Sequence, residues 1–109
     1  MKLIKAIIKP ERFEKVKKSL EEKNIFGMTI TEVKGRGEQK GLTLQYRGGS
    51  MIVDLIPKIE IDLVVEDSNV DITLQIIMEA AETGKIGDGR IFVVPVERSI
   101  KVRTGEEVK

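Results

Sequence analysis

A chain of 109 residues, 40% of them hydrophobic and 34% charged, is long enough for one domain with its own core. Its 19 Lys and Arg against 18 Asp and Glu leave a net charge of +1, so no global field favours nucleic acid or an acidic membrane. With no Cys and no His, disulfides, thiolate or imidazole metal sites, cysteine nucleophiles and Ser-His triads are all excluded. Any metal would be a hard cation held by oxygen. No apolar run approaches the ~20 residues of a membrane-spanning helix. Met1-Lys2 leads into a strand-like run without a cleavable signal pattern. A soluble, intracellular single domain over residues 1–109 is expected.

Leu3 to Ile8 is rich in β-branched residues and nearly continuous in apolar character, as in a strand buried on both faces. Pro10 opens a predicted helix, with Glu11 and Glu14 in the first turn and Phe13, Val16 and Leu20 on one face. Asn24 and Gly27 close that segment, Asn because it tolerates the left-handed conformation of a helix end. Met28 to Lys34 has the composition of a strand. Ile59, Ile61, Leu63 and Val65 alternate with Glu60, Asp62 and Val64, the clearest strand in the chain. Ser68-Asn69-Val70-Asp71 resembles a capping box, with Val70, Leu74, Ile77, Met78 and Ala81 as a helical stripe behind it and Ile72 and Ile76 off that stripe. Arg90 to Val96 reads as a strand, Ile100 and Val102 as a short final one, and Thr104 to Lys109 as a polar tail.

Between the second and third strands lies an unusually long connection, Gly35 to Lys58, holding five of the ten glycines. Such lengths in compact domains are rare and usually functional or disordered. The order β-α-β, long loop, β-α-β predicts an α+β, ferredoxin-like split βαβ fold: an antiparallel sheet with two helices on one face. The apolar second face of Leu3 to Ile8 then predicts contact with another subunit, most simply in a cyclic homo-oligomer.

Gly35-Arg36-Gly37 and Gly84 to Gly89 are the segments suited to a ligand. Glycine lets backbone amides approach an anion closely, and Arg36, Lys40, Lys58, Lys85, Arg90, Lys101 and Arg103 bring positive charge nearby. Neither segment fits the P-loop or the dinucleotide fingerprint, so from motifs alone glycines that merely permit turns are the better reading. Asp54, Glu60 and Asp62 form no evident acid/base pair, and alternation on a strand accounts for the last two.

Several blocks, in order, resemble the P-II nitrogen-regulatory signal-transduction family: Lys9-Pro10, Gly27-Met28-Thr29, Thr31-Glu32-Val33-Lys34-Gly35, Gln39-Lys40-Gly41, Tyr46-Arg47-Gly48, Pro57-Lys58, Thr83-Gly84-Lys85-Ile86-Gly87-Asp88-Gly89 and Arg103-Thr104-Gly105-Glu106. The resemblance implies a homotrimer with a T-loop over about 37–55, a B-loop over about 83–90 and a C-loop over about 101–109. It implies ATP or ADP bound between subunits by Gly27, Thr29, Gly35, Arg36, Gly37, Glu38, Val64, Gly87, Asp88, Gly89, Arg90, Lys101 and Arg103. It places 2-oxoglutarate at Gln39, Lys40, Gly41, Lys58 and Gly87, with Gln39 also reaching Mg²⁺. It gives Tyr46 and Arg47 to a protein partner, an ammonium transporter at the cytoplasmic face, with recruitment to the membrane through it. Control of glutamine synthetase or nitrogenase is the alternative within the family; a small ferredoxin-like enzyme is the alternative outside it, disfavoured by the missing His and Cys. No enzymatic turnover is expected. The chain departs from the family pattern at Met51, where many bacterial members carry a uridylylated Tyr, and at Lys101, which replaces a frequent Arg and loses its fork geometry. Glu38 places a negative charge beside the phosphate region.

Overall fold

The structure is a computed structural model describing residues 1–36, the strands at 42–46 and 49–53, and residues 55–108. Strand β1 (Lys2–Ile8) leads through a 3₁₀ turn (Pro10–Arg12) into helix α1 (Phe13–Glu22). β2 (Thr29–Gly35), β3 (Leu42–Tyr46), β4 (Gly49–Val53) and β5 (Ile56–Val65) follow. A second 3₁₀ turn (Asp67–Asn69) precedes α2 (Val70–Ala81), and β6 (Gly89–Pro95), β7 (Ser99–Ile100) and β8 (Glu107–Val108) complete the order. The main sheet runs β2-β5-β1-β6, with every neighbouring pair antiparallel. This is the ferredoxin-like α+β arrangement expected from the sequence.

Alternation along β1 sends Ile4, Ala6 and Ile8 under the helices, where they meet Ile61 and Leu63 of β5, Val16 and Leu20 of α1, and Ile77, Ala80 and Ala81 of α2. Burial of a whole Leu or Ile side chain contributes roughly 1.5–3 kcal/mol, so this cluster is the main source of stability. The opposite face carries Leu3, Lys5 and Ile7, only partly buried, beside the exposed Val64, Phe92 and Val94. In a single chain, then, β1 is covered on one face, and its apolar second face lies open.

Asn24 ends the α1 segment at φ 61°, the left-handed conformation expected of it. The capping box before α2 does not form: neither Glu66 nor Asn69 makes a side-chain cap, and the 3₁₀ turn carries the chain into the helix instead. The expected stripe of α2 is kept at Val70, Leu74, Ile77 and Ala81, but the buried side extends to Thr73, Ile76 and Ala80 rather than to Met78. Thr73 is buried, its hydroxyl donating to the Asn69 carbonyl at 2.7 Å, and Ile76 packs on the core, whereas Met78 is 48% exposed. A threonine can occupy that central place because its one polar group is satisfied within the helix.

β5 begins at Ile56 rather than Ile59, extending the sheet toward the long connection. Pro57 is tolerated there because this end of β5 lies beyond its pairing with β1 and meets only β2, at Lys34. Within the long connection, β3 and β4 pair as a separate antiparallel ladder, Leu42 opposite Val53 and Tyr46 opposite Gly49. The polar tail likewise contains β8, which pairs with β7 and is fastened by a forked contact from Arg98 to Glu107 Oε1 at 2.9 and 2.7 Å. Val102, expected in the final strand, is fully exposed beyond β7.

Candidate functional site

The end of the sheet nearest the long connection opens into a cleft of about 680 Å³. One wall is the last residue of β2 with its successor, Gly35 and Arg36; another is the start of β5, with Ile56 and Lys58; the third is the segment from Lys85 to Arg90. Ile7 and Phe92 give the cleft apolar surface. Four cationic residues line it, Arg36, Lys58, Lys85 and Arg90, against the carboxylate of Asp88. The balance suits an anion with an apolar portion.

The third wall is built from glycine. Gly84, Gly87 and Gly89 adopt φ of 79°, 92° and 115°, which side chains disfavour. At Gly89 the need is also steric: a Cβ there would lie 1.9 Å from the Ile7 carbonyl oxygen. That contact follows from the ladder, since Gly89 is the first residue of β6 and pairs with Ile8.

Asp88 turns inward and organises this segment. Its carboxylate accepts the Thr83 N–H at 2.7 Å, the Gly84 N–H at 2.9 Å and the Thr83 hydroxyl. The Lys9 ammonium lies 3.2 Å from both Asp88 Oδ1 and Thr83 Oγ1. The Thr83 hydroxyl and amide, followed by Lys9 and the Gly84 amide, hold the Asp88 carboxyl far below the usual carboxylate range against a smaller opposing effect of burial. The resemblance placed Asp88 among the nucleotide-binding residues; its side chain is engaged within the segment itself. Sequence reading missed Lys9 and Thr83 as its partners. Lys58 donates to the Gly87 carbonyl and so ties the start of β5 to the same segment.

A depressed carboxyl pKa has a definite sign. The unfolded chain takes up a proton near pH 4, whereas folded Asp88 does not. Its contribution to stability is therefore complete above about pH 4 and is lost as pH falls toward the folded value. Backbone amide NMR shifts of Thr83 and Gly84 should stay constant through pH 4 and move only at lower pH. A transition centred near 4 would contradict the inward geometry of Asp88.

The expected site residues fall into separate places. Gly35, Arg36, Lys58, Gly87, Asp88, Gly89 and Arg90 meet in the cleft. Thr29, paired with Asp62, and Val64, paired with Leu3, lie farther along the open sheet face, with Gly27 just before β2. Thr29 and Gly35 stand at opposite ends of β2, roughly 20 Å apart at the rise of a strand. Lys101 and Arg103 belong to the turn between β7 and β8, where Lys101 lies 3.8 Å from Glu106. Gly37, Glu38, Gln39, Lys40, Gly41 and Arg47 lie outside the described residues, and Tyr46 closes β3. Of the carboxylates near the long connection, Glu60 pairs with Lys5 at 3.6 Å, and Asp54 lies outside the described residues. One oxygen of Asp62 is buried with no hydrogen-bond partner among the described residues. Among those residues there is no cluster of three or more acidic side chains that would hold a metal, and no helix is long and apolar enough to cross a membrane.

Comparison with known proteins agrees with this arrangement of elements and loops. The family model "Nitrogen regulatory protein P-II" matches residues 1–106. The chain is 55% identical to the nitrogen regulatory protein P-II of Pasteurella multocida over 107 residues, covering 98% of this chain and 96% of the relative. It is 52% identical, with the same coverage, to that of Azospirillum brasilense. Its identity to nitrogen regulatory protein P-II 1 of Escherichia coli K12 is 54%, again over 98% of this chain and 96% of the relative. Agreement over essentially the whole length, including the glycine segment that shapes the cleft, places this chain in the nitrogen regulatory protein P-II family.

Proposed function

We propose that this regulatory protein senses adenine nucleotides and 2-oxoglutarate and passes the result to an ammonium transporter, without turnover of its own. The observation that carries the reading is the cleft: Arg36, Lys58, Lys85 and Arg90 stand around a glycine segment that turns through positive φ at Gly84, Gly87 and Gly89. Amides and cations converging on one concavity are what a polyphosphate requires. Mg²⁺ bound with ATP would be held by phosphate and effector oxygens together with the Gln39 side-chain oxygen. Among the described residues no acidic cluster would hold the ion by itself, so most of its ligands would be phosphate, effector and water oxygens.

The working form is a homotrimer. The two groups of nucleotide residues are too far apart along β2 to hold one small ligand within a chain, yet they become one site if the cleft of one copy faces the open sheet or tail of another. The exposed Val64, Phe92 and Val94 give that face the apolar character of an interface. Calorimetric titration of ATP, ADP and AMP, followed by 2-oxoglutarate with and without Mg-ATP, tests the sensing role. Arg103→Ala should weaken ATP and ADP by about 1.5–3 kcal/mol through loss of a charge-assisted hydrogen bond. Unchanged affinity for both would remove Arg103 from the site, and measurable ATP hydrolysis would favour the enzyme reading.

The transporter is assigned through Arg47 and Tyr46 by resemblance to the family. A cationic fork on a long side chain suits a narrow vestibule lined with acceptors, and three such segments on one trimer would reinforce one another by effective concentration. The cytoplasm is the matching location, with reversible recruitment to the membrane. In pull-downs from membranes containing the cognate transporter, wild type should be retained with ADP and released by Mg-ATP plus 2-oxoglutarate. Arg47→Ala should not be retained. Equal retention of the two proteins, or retention indifferent to ligands, points to glutamine synthetase, nitrogenase or another partner.

A further inference from the structure

We propose that Lys9 is a positioning residue for the phosphate-binding segment, acting with Asp88 and Thr83 to fix the shape in which residues 84–89 present their amides. The inference rests on the nucleotide reading of the cleft but concerns how its wall is held, by side chains of which only Asp88 borders the cleft.

Its basis is the register of β1 and β6. Ile8 pairs with Gly89, the last pair of that ladder. One step further along two antiparallel strands, Lys9 and Asp88 stand opposite each other, and their side chains meet at 3.2 Å. Pro10 helps to hold Lys9 in place, because the residue before a proline is confined to extended backbone; Lys9 has φ −66° and ψ 136°. The Lys9 side chain is only 18% exposed and that of Asp88 25%, which limits screening by solvent. Lys9 also reaches Thr83 Oγ1, and that oxygen accepts the Lys85 N–H at 3.3 Å. One ammonium thus joins the rigid end of the sheet to both ends of the turn over 83–88.

The division of labour within the turn is specific. Asp88 takes the amides of Thr83 and Gly84, and Thr83 takes that of Lys85. Between these anchored residues the chain turns at Ile86 and Gly87, both on the cleft wall. A carboxylate beside a phosphate would ordinarily repel it. Here the same carboxylate is paired with Lys9 and occupied by its own hydrogen bonds, so it shapes the site with its charge compensated. Without Lys9, Asp88 would hold its amides less firmly and bring an uncompensated negative charge close to an incoming polyphosphate.

The test is ADP titration of wild type, Lys9→Met, Lys9→Arg, Asp88→Asn and the double variant Lys9→Met/Asp88→Asn, each with a thermal melt and hydrogen exchange over residues 83–89. Lys9→Met should lose about tenfold in ADP affinity, as expected for a displaced charge-assisted contact, and should exchange faster at Thr83 and Gly84. Lys9→Arg should recover most of the affinity. The double variant should be better than the product of the two single losses, since removing the carboxylate removes the charge that Lys9 neutralises. Nucleotide binding by wild type with Lys9→Met and Asp88→Asn both within twofold of it would overturn the proposal. So would losses that multiply and that Lys9→Arg does not repair, because that pattern belongs to general destabilisation. If wild type binds no nucleotide, the reading of the cleft fails, and exchange at Thr83 and Gly84 still decides the clamp: unchanged rates in Lys9→Met refute it.

Discussion

Gly89→Ala should lower stability by about 3 kcal/mol or more, in the range reserved for severe core or backbone damage. Two costs combine at this position. Its φ of 115° excludes a side chain on conformational grounds, and a Cβ would sit 1.9 Å from the Ile7 carbonyl oxygen, 3.0 Å from the Ile7 carbonyl carbon and 3.2 Å from Ile8 Cα. All three atoms are backbone of β1, which is paired on both sides in the middle of the sheet and cannot retreat. β6 must therefore peel from β1 at this end, and the cleft wall goes with it. Gly84 provides the control. It also has positive φ, but a Cβ there meets nothing within 4 Å, so Gly84→Ala should cost only the roughly 1–2 kcal/mol of a left-handed alanine. Thermal melting at matched protein concentration distinguishes the two, because an oligomer's transition depends on concentration. A shift for Gly89→Ala no larger than for Gly84→Ala would mean that β1 yields at Ile7. Loss of nucleotide binding should accompany the larger shift.

The same position shows how far the sequence could be read. That Gly89 stands in a glycine-rich turn segment was readable from its neighbours, but the reason it must be glycine is the Ile7 carbonyl, which becomes a neighbour only once the β1–β6 register is known. Lys9 and Asp88 illustrate the same limit: nothing in either local sequence announces a contact between residues so far apart in the chain. Patterns that depend on one element alone were legible. The alternation of β5, the α1 face and the left-handed Asn24 all follow from local chemistry, and so did the element order that defines the fold. α2 was legible at Val70, Leu74, Ile77 and Ala81 but not at Thr73, whose burial depends on its hydroxyl donating back to Asn69, nor at Met78, which is exposed. The hairpin of β3 and β4 was overlooked although Leu42, Leu44 and Tyr46 alternate with Thr43 and Gln45. Its glycine-rich surroundings concealed a period of two.

Lys58→Ala should abolish 2-oxoglutarate binding in the presence of Mg-ATP, by roughly a hundredfold or more, while ADP affinity changes by no more than about threefold. Lys58 stands near the start of β5, opposite Val33 of β2, with its ammonium donating to the Gly87 carbonyl inside the cleft. Among the described residues, one of the three donors of Lys58 is used by the loop, and an ammonium can offer the others to a carboxylate. Removing it leaves a dicarboxylate without its counter-charge in a partly enclosed site, where pairing matters more than at an open surface. The nucleotide should be less affected, since in the proposed site its phosphates would meet the amides of the glycine segment and the cations Arg90 and Arg103. Lys58→Arg separates charge from geometry. Its broader fork preserves the charge but not the single linear donor to Gly87, so partial binding would identify charge as the main contribution, and none would identify shape. Calorimetry resolves the cases if ADP, Mg-ATP and then 2-oxoglutarate are titrated in that order. Retention of full 2-oxoglutarate affinity by Lys58→Ala would place the effector away from this cleft. Equal loss of ADP and 2-oxoglutarate would instead mean that Lys58 serves mainly to hold Gly87, making the contact to the loop, rather than the free donors of the ammonium, its principal role.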